Sequence, residues 1–324
     1  MFDLVSFIPR AVMQGIPLLY GSTGEILTEK SGNLNLGIPG VMYVGGICGV
    51  IGSFFYEQSV SAADMNAFLA IGIPMLCSLL GSLLMGLLYS VLTITLRANQ
   101  NVTGLTLTIF GCGIANFYGS SLNTLDGGVG QISLPVTSAA FRAVLPGLRE
   151  TPILNTLGWL VYLSILIAIA LWYFLSRTRA GLNLRAVGEN AATADAAGIN
   201  VTRCKYLSIC VGCAISGLGG LYYTMDYIKG TWTSGGSLEA LGWLSVALVI
   251  FAAWKPQLAI LGSFVFGGLR VLKYYVPTGA VPIAFFDMLP FLMTALVLIV
   301  TSMRGSKGSH IPASLGVNYF REDR

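Results

Sequence analysis

Charged side chains are scarce in this sequence. Asp, Glu, Lys and Arg make up only 10% of its 324 residues, whereas 55% are hydrophobic and the mean hydropathy is +0.76. A soluble domain carries about a quarter charged residues, because its surface must be solvated. A chain with so few charges cannot surround itself with water-bound side chains. The composition argues against a soluble domain and indicates that membrane lipid covers most of the surface.

Metal-ligand and redox patterns are missing as well. The sequence has a single histidine, His310, in a polar stretch without other ligand residues. Cys210 and Cys213 have CxxC spacing, but they lie in an apolar run with no second pair, so we interpret the six cysteines as packing residues. We find neither a His/Asp/Glu cluster nor a nucleophile–base pair. The sequence therefore predicts no metal site and argues against a membrane-embedded enzyme.

Three further signals are absent. No GxxxxGK(S/T) motif occurs, so the chain has no phosphate loop with which to bind ATP in the usual way. The net charge of +4 is too small to indicate a nucleic-acid partner. The N-terminus lacks the basic stretch and small-residue cleavage site of a secretory signal, so we expect it to be retained.

Long apolar runs dominate what is present. A spanning helix needs roughly 20 mostly apolar residues, and this rule predicts about nine spans. They are 8–28, 36–56, 67–96, 103–122, 156–176, 206–226, 240–254, 257–275 and 284–303. Backbone groups in hydrocarbon must be paired within the segment, so the spans must be helices. We predict an all-α, polytopic membrane bundle of nine to ten helices that forms one transmembrane domain over residues 1–324.

Basic residues give the orientation. Short loops rich in Lys and Arg lie on the cytoplasmic side of a membrane. The loop 177–205 holds Arg177, Arg179, Arg185, Arg203 and Lys205, and the tail 304–324 begins with Arg304 and Lys307. We expect both to be cytoplasmic, and the polar, Gly-rich loop 123–155 to face the exterior. The side on which the N-terminus lies stays open.

The loop 177–205 also contains a short helix signal. Asn190 is a suitable N-cap for Ala191–Ala197, and Gly198 suits the position after the helix end. Two helical turns of this kind are roughly 10 Å long. A capped helix that presents mostly alanine is suited to docking into a groove of another protein. It could equally be an interfacial loop helix that contacts nothing, and the local pattern does not separate the two.

Three stretches carry a family resemblance. The run TRAGLNLRAVGENAATADAAGINVTR, which ends at Arg203, looks like the coupling loop of ABC importer permeases in the branched-chain amino acid, ribose and nucleoside branch. GEILTEKSGNLNLGIPGVMYVGG, from Gly24 to Gly46, resembles the simple-sugar and nucleoside permeases of that branch. DMLPFLMTALVLIV, from Asp287 to Val300, is similar to their last span. The matches occur in the family's order and cover nearly the whole chain.

The resemblance implies a type II importer permease in the inner membrane of a bacterium, without a catalytic site or cofactor of its own. ATP and Mg²⁺ would be used by a separate ABC ATPase subunit. An extracytoplasmic substrate-binding lipoprotein and a second permease, identical or a paralogue, would complete the assembly. The implied ATPase-coupling residues are Glu189, Asn190, Ala191, Ala194, Asp195, Ala197 and Gly198. Two positions depart from the pattern: Pro39 stands where an acidic residue is usual, and Asp287 where an uncharged polar residue is usual.

Polar residues inside the spans are candidates for the solute pathway, because such groups are costly in lipid unless they face a cavity or a partner. These candidates are Glu25, Asn33, Asn35, Phe110, Asn116 and Tyr118. Glu25 and Glu29 share a helical face and could instead pair with Lys30 and nearby helix ends. Asn116 could instead make an interhelical hydrogen bond. Both alternatives stay open.

Small residues repeat at helical spacing in two spans. Gly212, Ser216 and Gly220 form one smooth face of the sixth span, and Gly45 and Gly49 do the same in the second. Such faces let helices approach closely, so we predict helix–helix contacts there.

The sequence thus predicts the permease subunit of an ATP-driven importer of a small polar solute. Within the resemblance, nucleosides come first and simple sugars second. The main alternative is a secondary transporter driven by an ion gradient, which would need ionisable groups at mid-membrane. A purely structural membrane scaffold is a further alternative.

Overall fold

The computed structural model describes residues 4–61, 64–125, 132–144, 156–233, 236–275, 282–303 and 311–320. Twelve α-helices lie within these ranges. They are α1 (Leu4–Glu29), α2 (Ile38–Ser59), α3 (Ala67–Ser90), α4 (Gln100–Leu125), α5 (Pro135–Phe141), α6 (Trp159–Arg177), α7 (Arg179–Glu189), α8 (Ala191–Ala196), α9 (Val201–Tyr222), α10 (Ser237–Phe251), α11 (Pro256–Leu272) and α12 (Ile283–Met303). Extended pairing in the described ranges is confined to one isolated bridge between Ser133 and Thr231.

Two of the helices continue as π-helical turns. The turn Val91–Thr95 extends α3, and the turn Tyr223–Tyr227 extends α9. π-Helical turns inside longer helices are rare and often occur at functional sites.

Each of the nine predicted spans coincides with one of these helices, and the all-α prediction is confirmed for the described residues. Five helical segments are long and apolar enough to cross a membrane: Ile38–Ser59, Ala67–Thr95, Gln100–Leu122, Trp159–Arg177 and Val201–Tyr227. Segments in α10, α11 and α12 are apolar but shorter. The fold is therefore that of a membrane helix bundle, while the number of nine to ten spans stays a prediction.

Helices α1 and α9 form the centre of the bundle. From Gln14 to Glu29 every residue of α1 is buried, and α1 packs against α9, α10 and α11. Helix α2 packs against α3, α4 and α9. This position explains why α1 is a weak span by hydropathy: neighbouring helices, rather than lipid, surround its polar inner half.

The predicted small-residue faces are confirmed as helix–helix contacts. A Cβ atom at Gly220 would collide with the carbonyl oxygen of Met42 in α2, and Gly45 of α2 lies against Gly217. On the α1 side, Ser216 Oγ donates a hydrogen bond to the carbonyl oxygen of Gly21 at 3.3 Å. The absence of side-chain bulk lets α9 approach both α1 and α2 closely.

The outer surface is apolar. Large hydrophobic side chains on α3 and α4 are widely exposed, among them Phe68 at 80% and Ile109 at 75%. Helices α6 and α12 also expose rows of leucine and isoleucine side chains. A surface of this kind suits lipid or a membrane partner rather than water.

Candidate functional site

Helix α8 has the caps that its sequence predicts. The Asn190 side chain accepts a hydrogen bond from the Thr193 N–H at 3.0 Å, which closes the first turn. At the other end Gly198 has φ +85°, a conformation that favours glycine. The Ile199 N–H bonds to the Ala194 carbonyl and the Gly198 N–H to the Asp195 carbonyl, both at 3.0 Å. These two bonds form a Schellman motif, so the helix ends one residue earlier than predicted, at Ala196.

The two faces of α8 differ. Ala191 and Ala194 are 7% and 3% exposed, whereas Ala192, Thr193, Ala196, Ala197 and Gly198 are exposed. The alanines at 191 and 194 therefore join the helix to its own chain, and only the opposite face is free for another protein. Their predicted role in ATPase coupling stays a prediction, and their burial shows only that they do not lie on the exposed face of the helix.

A small apolar cluster fixes α8 to its neighbours. Ala191 and Ala194 pack with Val187 of α7 and Val201 of α9. Tyr319, far along the chain, packs against the same cluster. The cluster therefore connects α8 to α9, a central helix of the bundle.

Residues 311–320, here called the strap, tie α8 to the bundle a second time. The Tyr319 hydroxyl donates a hydrogen bond to Asp195 Oδ2 at 2.8 Å. The Ser314 N–H bonds to the Gly188 carbonyl at 3.0 Å, and the Ala313 N–H lies 3.4 Å from Glu189 Oε2. The strap was predicted only as part of a cytoplasmic tail, and its contacts with α7 and α8 were missed. Arg304, Lys307 and His310 of that tail lie outside the described residues.

The strap also holds the segment between α1 and α2. The Gly316 N–H bonds to the Gly32 carbonyl at 3.1 Å. Gln100 bridges the two: its Nε2 donates to Asn318 Oδ1 at 3.0 Å, and its Oε1 accepts from the Leu34 N–H at 2.8 Å. The Asn318 amide further donates to the Arg97 carbonyl at 2.9 Å. The strap thus links α8 to the C-terminal end of α1.

Three of the predicted pathway residues meet at this end of α1. Glu25, Asn33 and Asn35 are at most 1% exposed. Glu25 Oε1 accepts the Asn35 N–H at 3.1 Å, and Asn35 Oδ1 accepts the Gly37 N–H at 2.9 Å ahead of α2. Their hydrogen bonds satisfy non-helical backbone inside the bundle, which would otherwise be costly. A direct contact with solute would require this segment to move.

Charged groups surround the same segment. Glu29, the last residue of α1, accepts a hydrogen bond from the Trp254 indole N–H. Burial lowers the pKa of Lys30, the Glu189 carboxylate opposes that shift, and Arg185 adds to it. Glu25 and Glu29 thus each accept a hydrogen bond near the end of α1, and the choice between a structural role and a pathway role stays open.

The other three pathway candidates lie elsewhere, on α4. Phe110 and Tyr118 are each 49% exposed on the outer surface of the chain. Asn116 is partly buried, and its Oδ1 has no hydrogen-bond partner among the described groups. The structure therefore does not bring the two halves of the predicted pathway into one cavity of this chain.

A second buried polar group was missed by the sequence analysis. Asp226, in the π-helical turn after α9, is 2% exposed, and its Oδ2 lies beside Gly158 without a partner in the described part of the chain. The buried Tyr222 hydroxyl likewise has no described partner. Tyr223 and Tyr227 stack at 5.4 Å nearby. An aspartate among tyrosines after an apolar run was the available signal.

The two departures from the family pattern have structural accounts. Pro39 lies in the first turn of α2, where its missing N–H is not needed, and it packs against Gly242 of α10. Asp287 forms an ion pair with Lys273, with 2.7 Å between Nζ and Oδ1. An exposed pair of this kind contributes at most about 1 kcal/mol.

Comparison with known proteins places this architecture among transport proteins. A family model described as "Branched-chain amino acid transport system / permease component" matches residues 7–298. The putative glucose ABC transporter permease protein TsgC13 of Haloferax volcanii is 31% identical over 79% of this chain and 73% of its own length. No solved structure matches.

Two further relatives are similar over almost their whole length. The guanosine ABC transporter permease protein NupQ of Bacillus subtilis is 27% identical over 98% of this chain and 97% of its own. The nucleoside ABC transporter permease protein NupC of Lactococcus lactis is 29% identical over 97% and 96%.

Proposed function

We propose that this chain carries nucleosides across a membrane as the permease subunit of an ABC importer. The premise is that the chain belongs to the family of branched-chain amino acid transport-system permease components. The observation that carries the choice of solute is the similarity, over more than nine-tenths of the chain, to permeases named for guanosine and nucleosides. Simple sugars are the second candidate, since a relative named for glucose transport covers less of the chain.

The family implies an ATPase and a substrate-binding protein as partners, and its members are transport subunits rather than enzymes. We propose that ATP and Mg²⁺ are used on the ATPase and that the α8 end of the bundle faces the cytoplasm of a bacterial cell. The support is the cluster of basic residues in 177–205, which the positive-inside rule assigns to that side.

Force would enter through the exposed face of α8. Ala192, Thr193 and Ala196 form the free surface that a groove on the ATPase could take up, while Ala191 and Ala194 anchor the helix. Glu189 ends α7, Asn190 caps the start of α8, and Asp195 would pass the displacement to the strap. The strap would then move the segment around Leu34, which covers the inner end of α1.

The solute path would run along α4, between this chain and a second permease. The exposed aromatic rings of Phe110 and Tyr118 and the unpartnered amide oxygen of Asn116 support this placement. Aromatic faces and an amide suit a purine ring and its hydrogen-bonding edge. In this arrangement, Glu25, Asn33 and Asn35 close the path at its inner end.

Uptake measurements test the solute. In a strain that lacks this chain, we expect accumulation of labelled guanosine to fall to background and to return when the chain is restored. Excess unlabelled adenosine should compete, whereas excess glucose should not. If the deletion strain loses glucose uptake but keeps normal guanosine uptake, the proposed solute is wrong and the chain is a sugar permease.

A further inference from the structure

A cavity of about 560 Å³ opens at the α8 end of the bundle. Its walls come from the end of α8, the first turns of α9, the turn after α3, the strap and Asn33 of the segment between α1 and α2. None of these residues lies on α4, and Asn33 is the one that also belongs to the residues proposed to close the solute path. The volume lies within the roughly 300–1,000 Å³ range of small-molecule sites.

Three basic side chains line this cavity: Arg97, Arg203 and Lys205. A single carboxylate, Asp195, lines it with them, and this carboxylate already accepts the Tyr319 hydroxyl. Asn318 and Tyr319 add polar side chains from the strap. The walls therefore carry an excess of positive charge together with hydrogen-bonding groups, which is the chemistry that holds an anion.

Lys205 is the most telling of the three. The Lys205 side chain is only 3% exposed. It forms no ion pair within the described residues, where the ion pair that is found joins Lys273 to Asp287. An ammonium group buried without a counter-charge is costly. A bound anion in the cavity that Lys205 lines would supply the missing charge.

The first turn of α9 adds to this field. This helix of 22 residues begins at Val201, and the Asn200 side chain caps only the Arg203 N–H, at 2.9 Å. The positive end of its dipole is directed at the cavity wall formed by residues 200–203. Helix N-termini of this kind, together with basic side chains, favour phosphate groups.

We infer that this cavity binds a phosphomonoester, with the phosphate held by Lys205, Arg203 and the first turn of α9. The cavity is larger than a phosphate requires, so an organic group such as a nucleoside fits beside it. A ligand there would contact α8, α9 and the strap at once and would change how they move together. The inference does not depend on which solute the chain carries.

Binding to the complete transporter tests the site. The purified complex, with all its subunits in phosphatidylcholine nanodiscs, would be titrated with adenosine monophosphate, inorganic phosphate and adenosine by equilibrium dialysis. We expect the monophosphate and phosphate to bind to this chain and adenosine not to bind there. Lys205→Met should weaken that binding at least about tenfold, as the loss of a charge-assisted hydrogen bond implies.

Matched variants separate this site from nucleotide sites on the ATPase. Lys255→Met removes a lysine near the same end of the bundle but outside the cavity, and it should leave the affinity unchanged. Arg203→Gln alters an exposed residue, so it tests the site even if Lys205→Met fails to fold. Equal affinities in all variants, or no binding to the wild-type complex, would overturn the inference.

A lipid arm identifies the source of the phosphate. Nanodiscs that contain phosphatidic acid, which carries a phosphomonoester headgroup, would be compared with the phosphatidylcholine discs. Displacement of adenosine monophosphate by phosphatidic acid would assign the site to a lipid headgroup. Unchanged affinity would assign it to a free phosphomonoester.

Discussion

Gly198 shows how a single residue sets the shape of the α8 joint. Its φ of +85° allows the chain to turn from α8 into α9, and a Cβ there would meet no atom within 4 Å. Space is therefore not the constraint at this position. The constraint is the left-handed backbone conformation, which a residue with a Cβ adopts at a cost of about 1–2 kcal/mol.

Replacing Gly198 with valine should uncouple ATP hydrolysis from uptake. The β-branched side chain opposes the left-handed conformation, so the helix end should unwind and the population of the native joint should fall about fivefold or more. The ratio of solute moved to ATP hydrolysed in proteoliposomes measures this effect. Gly198→Asn, which tolerates the conformation, should retain most of the coupling, and membrane insertion should be normal for both. Unchanged coupling in the valine variant would contradict the proposed role of α8.

Ala194 is an alanine of α8 whose burial the sequence alone does not reveal. Its side chain is the same as those of its exposed neighbours Ala192 and Ala196, yet it is buried against Val187 and Val201. A large side chain at Ala194 would disrupt the joint itself rather than the docking surface. Ala192 and Ala196 are therefore the positions at which an ATPase contact is best tested.

At the scale of elements, the strap was the main feature that the sequence analysis did not anticipate. Residues 311–320 lie in the predicted tail and are mostly apolar, but their local sequence contains no regular period that would predict a helix or a strand. Their order comes from partners on three other parts of the chain: Gly188, Gly32 and the Arg97 turn. Arg97 also stacks over Phe320, with 4.7 Å from the guanidinium carbon to the ring centroid.

Tyr319→Phe should weaken the link between α8 and the strap. It removes the hydrogen bond to the Asp195 carboxylate, which is worth about 1.5–3 kcal/mol for a charged acceptor, and it keeps the ring in its apolar cluster. We expect the amount of solute moved per ATP to fall severalfold, with the basal ATPase rate unchanged. Tyr173→Phe, on an exposed face of α6, is the matched control and should behave as wild type. Equal coupling in the two variants would show that the strap does not transmit force.

The whole molecule is a helix bundle with an apolar outer surface and no phosphate loop in its sequence. The sequence analysis gives two candidate energy sources for transport, an attached ATPase and an ion gradient across the membrane. Membership in the ABC permease family favours the first. The buried Asp226 is the kind of group that a gradient-driven transporter would use, so the distinction is worth testing directly.

Uptake should follow ATP rather than the membrane potential. In cells whose potential is collapsed by an ionophore while ATP is maintained, we expect guanosine accumulation to continue at more than half its normal rate. Substitution of the phosphate-loop lysine in the partner ATPase should abolish it. Accumulation that stops with the potential and survives the ATPase variant would favour the secondary-transporter alternative.

The sequence by itself determined the class of fold, the positions of the nine long apolar helices and the caps of α8, but it predicted neither α5 nor α7. These features follow from local chemistry: apolar runs of sufficient length, a side chain that caps an N-terminus, and a glycine that permits a left-handed turn. Small residues at helical spacing likewise predicted close helix contacts on α9 and α2, because close approach requires the absence of a side chain. The structure identifies the partners of α9 as α1 and α2.

Only the tertiary structure decided which alanines of α8 face inward, how the strap binds, and that Lys205, Arg97 and Arg203 line one cavity. These residues come from separate parts of the chain, and their proximity depends on how whole helices pack. Hydrogen bonds such as Tyr319 to Asp195 join residues more than a hundred positions apart. Local sequence patterns do not report contacts between residues so far apart in the chain, so these contacts became visible only in the packed structure.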